Sequence, residues 1–105
     1  MAWITLLFAG VVEIAMALLL KSSEGWSRAW PSILAVVAAL ASIFLLAHAV
    51  KSLPIGSAYA IWTGIGSIGV AAVGILIFHE HASALRLACI ALIVIGTAGL
   101  RLIEA

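Results

Sequence analysis

Glu13 is an acidic residue near the middle of an almost unbroken apolar run, residues 3–20. A run of roughly 18 apolar residues is about long enough for a helix to cross the hydrocarbon core of a bilayer. A charged side chain at the bilayer centre costs at least ~2.5–3.5 kcal/mol on insertion scales, so an acid at that depth predicts a functional site. The alternative is a protonated glutamic acid that only joins helices by hydrogen bonds.

Two further residues of the first apolar run accompany Glu13. Gly10 and Ala17 lie three and four residues away from it, which puts all three on one face of a helix, with Met16 beside them. This face is the predicted lining of a site on the first helix.

The second and third apolar segments add hydroxyl and aromatic side chains, namely Ser42, Tyr59, Trp62 and Thr63. Tyr59 and Trp62 are one turn apart on the same helix face. Taken singly, each has a structural explanation, since serine can bond back to its own helix and aromatic residues pack or lie at the membrane interface. Together with Glu13 they predict a small cation site, because hydroxyl and indole groups form hydrogen bonds and aromatic faces attract cations.

A single buried acid can serve two ligands in turn. Desolvation disfavours the charged form of a carboxyl group. Glu13 could therefore take up a proton when a cation leaves and release it when a cation arrives, which is the minimal arrangement for exchanging protons against a cation. A channel would need a polar lining along a whole helix face, and the sequence contains none.

The composition indicates an integral membrane protein. The chain has 105 residues, of which 67% are hydrophobic and 9% are charged, and its mean hydropathy is +1.37. A soluble domain of this size could not remove so much apolar surface from water. We expect no cleavable signal peptide, because the N-terminus has no basic region and the first apolar run carries an acid. Cys89, the only cysteine, lies in an apolar stretch and is predicted to be a small core residue.

Four apolar segments, about residues 3–20, 31–50, 54–78 and 84–103, predict an all-α protein with four transmembrane helices in one domain, residues 1–105. Trp26 and Trp30 suit the water–lipid interface. The connection at residues 51–53 is so short that the second and third helices are predicted to be antiparallel neighbours.

Glycines in the third and fourth segments have two interpretations. Gly64, Gly66 and Gly69 predict a bend in the long third helix, or close helix packing without a bend. The small residues from Gly96 to Gly99 would let another helix approach closely, either from a second subunit or from the same chain.

The loop charges are almost balanced across the membrane. If the spans alternate, Lys51 and Arg101 lie on one side, and Lys21, Arg28 and Arg86 lie on the other. So small a bias orients a chain weakly. It predicts insertion in both orientations and an antiparallel dimer, with a single orientation set by the first helix as the alternative.

Other classes of function find no support in the residues. His79 and His81 are two residues apart and would not face one another on a helix, so we expect no metal site. No nucleophile–base set, phosphate-binding glycine loop or basic patch is present. We therefore expect neither an enzyme nor a cofactor, and no nucleic acid partner.

The chain resembles the small multidrug resistance family over its full length. The resemblance is carried by Glu13 and by residues 53–66, LPIGSAYAIWTGIG, which are similar to the third-helix signature of the family. It implies a four-helix protein of the bacterial inner membrane that acts as an antiparallel dimer and exports cations in exchange for protons through the first-helix glutamate. Ser42 with the Tyr59 and Trp62 pair is more similar to the guanidinium exporter subtype than to the exporters of quaternary ammonium drugs.

The resemblance also implies roles for single residues. Glu13 would be the shared carboxylate for proton and substrate, and Ser42 and Trp62 would orient it through hydrogen bonds. Tyr59 would gate or couple the two states, and Gly10 would lie close to the substrate.

Met16 departs from the subtype, whose members usually have tryptophan at that position. Methionine has no indole N–H but keeps a flexible, polarizable side chain. The site is then either relaxed towards substituted guanidinium ions or hydrophobic cations, or it belongs to one subunit of a heterodimer with a related chain. The presence of Glu13, Ser42, Tyr59 and Trp62 favours a homodimer.

Overall fold

The computed structural model describes residues 2–104, which form four α-helices and no strand. The helices are α1 (Ala2–Ser22), α2 (Ala29–Ala49), α3 (Ile55–Leu76) and α4 (Ala84–Glu104). Each has 21 or 22 residues and is apolar and long enough to cross a membrane. The prediction of an all-α protein with four such helices is therefore confirmed. The first and last positions of the predicted domain, Met1 and Ala105, lie outside the described residues.

The loop between α1 and α2 is a compact turn organised by Ser23. This serine is buried; its hydroxyl donates to the Leu20 carbonyl at 2.7 Å and accepts from the Trp26 N–H at 3.2 Å. Glu24, Gly25 and Trp26 all have positive φ angles. This backbone conformation cannot continue a right-handed helix, so the chain turns back here.

The chain leaves α3 at Leu76, two residues before the predicted end. His79 has a φ of 56°, and the Glu80 N–H donates to the Gly74 carbonyl at 3.0 Å. The turn therefore folds back on the last part of α3. Ser83 then caps the start of α4, since its hydroxyl accepts a hydrogen bond from the Arg86 N–H at 3.1 Å.

The helices lie side by side in the order α2, α1, α3, α4, because α1 packs against α2 and α3, and α4 packs against α3. The molecule measures 41 × 35 × 16 Å, which is a thin layer. The prediction that α2 and α3 are neighbours holds only in small part. They contact one another far less than either contacts α1.

The buried core joins the first three helices. Leu6 of α1, Ala49 of α2 and Ala58 and Ile61 of α3 form one cluster. By contrast, α4 has no buried residue. The prediction that Cys89 is a core residue is wrong, because it lies on the exposed surface of α4. An apolar neighbourhood in sequence does not distinguish a core from a face that this chain leaves uncovered.

Candidate functional site

The Glu13 carboxylate lies directly against the backbone of α3 at Gly66. A Cβ added to Gly66 would overlap Oε1 of Glu13 and would be 2.7 Å from its Cδ. Glu13 is partly exposed, so a ligand can reach it. Within residues 2–104 the ion pair that forms joins Arg86 to Glu80, and no lysine or arginine neutralises Glu13. The acid is therefore open to an external cation.

A series of hydrogen bonds links α1, α2 and α3 and reaches α1 at Ala9, one turn before Glu13. The indole Nε1 of Trp62 donates to the Ser42 hydroxyl at 2.9 Å, and Ser42 donates to the Ala9 carbonyl at 2.7 Å. Ser42 is 1% exposed, so the hydroxyl that both bonds share is shielded from water. Ser42 thus bonds to a neighbouring helix instead of back to its own.

Ala9, whose carbonyl is the last acceptor in this series of hydrogen bonds, lies one turn before Glu13. In an α-helix the carbonyl of Ala9 also accepts the backbone N–H of Glu13, four residues later. The same carbonyl therefore serves the backbone of α1 and the hydroxyl of α2. This arrangement fixes the part of α1 that carries the acid relative to α2 and α3.

Tyr59 and Trp62 form an edge-on aromatic pair on α3. Their ring centroids are 5.2 Å apart and their planes are at 65°. The indole N–H of Trp62 donates to Ser42, which fixes the ring in place. The Tyr59 side chain is 56% exposed. The pair therefore has one anchored member and one member that faces outward.

The other residues of the predicted site occupy different positions. Gly10 is buried against α3, where an added Cβ would be 2.5 Å from Cγ2 of Ile65. Met16 is partly exposed on α1. Thr63 lines a groove of about 600 Å³ between α3 and α4, together with Tyr59. Thr63 thus lies on the α4 side of α3.

The three glycines of the predicted bend each lie against a side chain. Besides Gly66, an added Cβ would clash with Thr97 of α4 at Gly64 and with Ile14 of α1 at Gly69. These contacts agree with the close-packing interpretation. Since α3 is helical throughout from Ile55 to Leu76, the bend stays a prediction.

A second cavity, of about 450 Å³, lies between α1, α3 and α4. Its lining is apolar apart from Thr97 and Arg101, and the guanidinium of Arg101 lies over the Trp3 ring at 4.4 Å. Because a cation and no acid lies at its edge, this cavity is unsuited to a cationic ligand.

The comparisons with known proteins identify the family. The family model described as Small Multidrug Resistance protein matches residues 1–93. The chain belongs to the small multidrug resistance family. A protein named guanidinium exporter from Yersinia pseudotuberculosis is 53% identical, with 97% of this chain and 98% of that protein aligned. Proteins of the same name from Escherichia coli strain K12 and Salmonella typhimurium are 51% identical, with 97% of each chain aligned.

This member of the small multidrug resistance family is thus a multi-pass protein of the bacterial inner membrane.

Two features of the site were not predicted from the sequence. The Ala9 carbonyl was detectable in principle, because it lies one turn from Glu13 on the same face. The contact between Gly66 and Glu13 had no sequence signal, since it depends on how α1 and α3 are aligned.

Proposed function

We propose that this protein is a transporter that exports guanidinium or substituted guanidinium ions, such as guanylurea, in exchange for protons. The proposal rests on one observation above all. Glu13 is an acid well inside a membrane-spanning helix, and no described basic residue neutralises it. The relatives named guanidinium exporters, at 51–53% identity over nearly the full length, support the choice of cation.

The chemistry of the site suits this exchange. A carboxylate accepts paired charge-assisted hydrogen bonds from the planar guanidinium group. Protonation removes the negative charge, so Glu13 holds either the cation or a proton. The bonds from Trp62 to Ser42 and from Ser42 to Ala9 keep the three helices together around the acid, and the outward-facing Tyr59 is suited to gating or coupling.

The transporting unit that we propose is an antiparallel homodimer of a single-domain chain, with the two Glu13 side chains in one shared site. A layer 16 Å thick cannot surround a pathway for a cation. Its accessible surface is 6545 Å², whereas a compact folded monomer of this mass exposes about 5,600 Å². The nearly balanced loop charges favour insertion in both orientations.

The test is to reconstitute the purified chain alone in liposomes. Substrate-evoked currents are then recorded with guanidinium, guanylurea and a quaternary ammonium ion. Currents with the guanidinium compounds support the proposal and show that Met16 is compatible with the site. Currents with the quaternary ammonium ion alone indicate a drug exporter. Silence with every cation, from well-folded protein, contradicts the homodimer and points to a heterodimer with a related chain.

Replacing the acid is the most direct prediction from this mechanism. Glu13→Gln keeps the size of the side chain but removes its charge and its exchangeable carboxyl proton. We expect proton-driven export to fall at least ~100-fold, to background. Glu24→Gln, the same substitution in the exposed loop after α1, is the control and keeps wild-type rates. Proton-driven export that survives in Glu13→Gln contradicts the mechanism.

A further inference from the structure

Gly66 is in direct contact with the charged end of the Glu13 side chain. A Cβ added to Gly66 would overlap Oε1 of Glu13, lie 2.7 Å from Cδ and lie 3.4 Å from Cγ. The crowding is thus greatest at the carboxylate and falls off towards the stem of the side chain. The functional end of Glu13 occupies the space that a side chain at position 66 would fill.

The neighbouring glycine contacts are different. An added Cβ at Gly10 would be 2.5 and 2.9 Å from Cγ2 and Cβ of Ile65, and one at Gly69 would overlap Cδ1 of Ile14 and be 2.6 Å from its Cγ1. Both neighbours are β-branched apolar side chains with few rotamers, so an added methyl group would disturb the packing between α1 and α3, and neither contact involves a charged group. Oε1 of Glu13 is at the free end of a flexible side chain. A methyl group at position 66 therefore displaces the carboxylate and leaves the backbone where it is.

We propose that Gly66 is the positioning residue for Glu13. Its bare backbone determines where the carboxylate meets the cation and the proton, and any side chain there moves the charge away from α3. The consequence for the cation rests on the proposed function, because paired hydrogen bonds to guanidinium require a defined carboxylate position. The helix itself does not suffer, since alanine is a better helix former than glycine.

The experiment compares Gly66→Ala in two backgrounds, the wild type and Glu13→Asp. Aspartate is one methylene shorter, so its carboxylate carbon takes the place of Cγ of Glu13, 3.4 Å from the added Cβ, and the carboxylate crowds position 66 less than that of glutamate. The first readout is the infrared band of the protonated Glu13 carboxyl group, assigned by its loss in Glu13→Gln and titrated with pH in the absence of any cation. The second readout is the affinity for guanidinium chloride.

In the wild-type background, we expect Gly66→Ala to shift the carboxyl band and its titration midpoint, and to weaken guanidinium binding about tenfold or more. In the Glu13→Asp background, the same substitution has a smaller effect on both readouts, because the shorter side chain crowds position 66 less. Gly69→Ala is the matched control. It acts through the apolar side chain of Ile14, so its effect on each readout is the same in both backgrounds.

Two results would overturn the proposal. One is an unchanged carboxyl band and titration midpoint in Gly66→Ala. The other is an equal effect of Gly66→Ala in both backgrounds, which assigns the glycine to helix packing alone. If the wild-type protein binds no guanidinium, the proposed function fails. The infrared comparison still decides the role of Gly66, because it uses no substrate.

Discussion

The first three helices differ from α4 in how much of their surface is buried inside the chain. Helices α1, α2 and α3 share a buried cluster around Leu6 and Ile61 and are tied together by the bonds of Ser42. Helix α4 packs mainly against α3 and has no buried residue. Its large apolar side chains, such as Leu85 and Leu92, are 81% and 68% exposed.

This difference separates two tasks within one small chain. The first three helices position the acid through contacts inside the chain. The fourth helix contributes Thr97 against Gly64 and Arg101 against Trp3, and its large apolar side chains are mostly exposed. In a membrane such a surface can face lipid or a second copy, and the small residues Gly96 and Gly99 favour close approach of another helix. The comparison therefore predicts which substitutions affect the site and which affect assembly.

The largest effect among these tests is expected at the centre of the three-helix region. Ser42→Ala leaves the Trp62 N–H and the Ala9 carbonyl without their shared partner in a buried place. Leaving a buried polar group unpaired costs about 1–3 kcal/mol of folding free energy. Because this loss loosens the helices that position Glu13, we expect export to fall about tenfold or more. Liposome transport and thermal unfolding are the measurements. Ser32→Ala, at the start of the same helix, is the control, and equal export by Ser42→Ala and wild type would contradict the role of the bond chain.

An effect of similar size is expected on α4, and it concerns the assembly of subunits instead of export. A Cβ at Gly96 meets no atom of the chain within 4 Å, so a side chain can begin there without a clash inside the single subunit. If a second copy packs closely there, overpacking costs about 1–3 kcal/mol and the dimer weakens about tenfold or more. Energy transfer between labelled subunits measures this dissociation. Gly56→Leu, an equally open position at the start of α3, is the control, and a dimer unchanged by Gly96→Leu would exclude close packing at this glycine.

The smallest effect is expected at the loop between α3 and α4. Arg86 and Glu80 form an ion pair of 2.5 Å, with side chains 38% and 42% exposed. Because solvent screens such a pair, Glu80→Gln should lower the free energy of unfolding by no more than about 1 kcal/mol. The difference from wild type should shrink at high salt. Thermal unfolding at two salt concentrations measures it, and a larger, salt-independent loss would mean that the contact of Glu80 with Gly74 dominates.

Much of the fold could be predicted because the bilayer restricts which segments can cross it. Each span must be about 20 apolar residues long and must satisfy its own backbone hydrogen bonds, so composition alone marks four helices. The ends were less certain. The α3 helix stops at Leu76 because the chain folds back through His79, a local conformation that composition does not encode.

Part of the candidate site could be predicted because a polar residue in a membrane span is costly and helical spacing shows which residues share a face. Glu13 was found because an acid in an apolar run is costly, and the spacing of Tyr59 and Trp62 indicated a shared face. The exposure of Cys89 was predicted incorrectly, because an apolar helix in a membrane can face either lipid or protein.

By itself, the sequence determined the membrane class, the four helices and the identity of the acid, because these depend on local composition and helical period. Only the tertiary structure decided that Ser42 bonds to Ala9, that Gly66 makes room for Glu13 and that α4 stands apart. The physical reason is that these features depend on the relative alignment of helices. That alignment is set by close packing between residues far apart in the chain, and no single segment contains it.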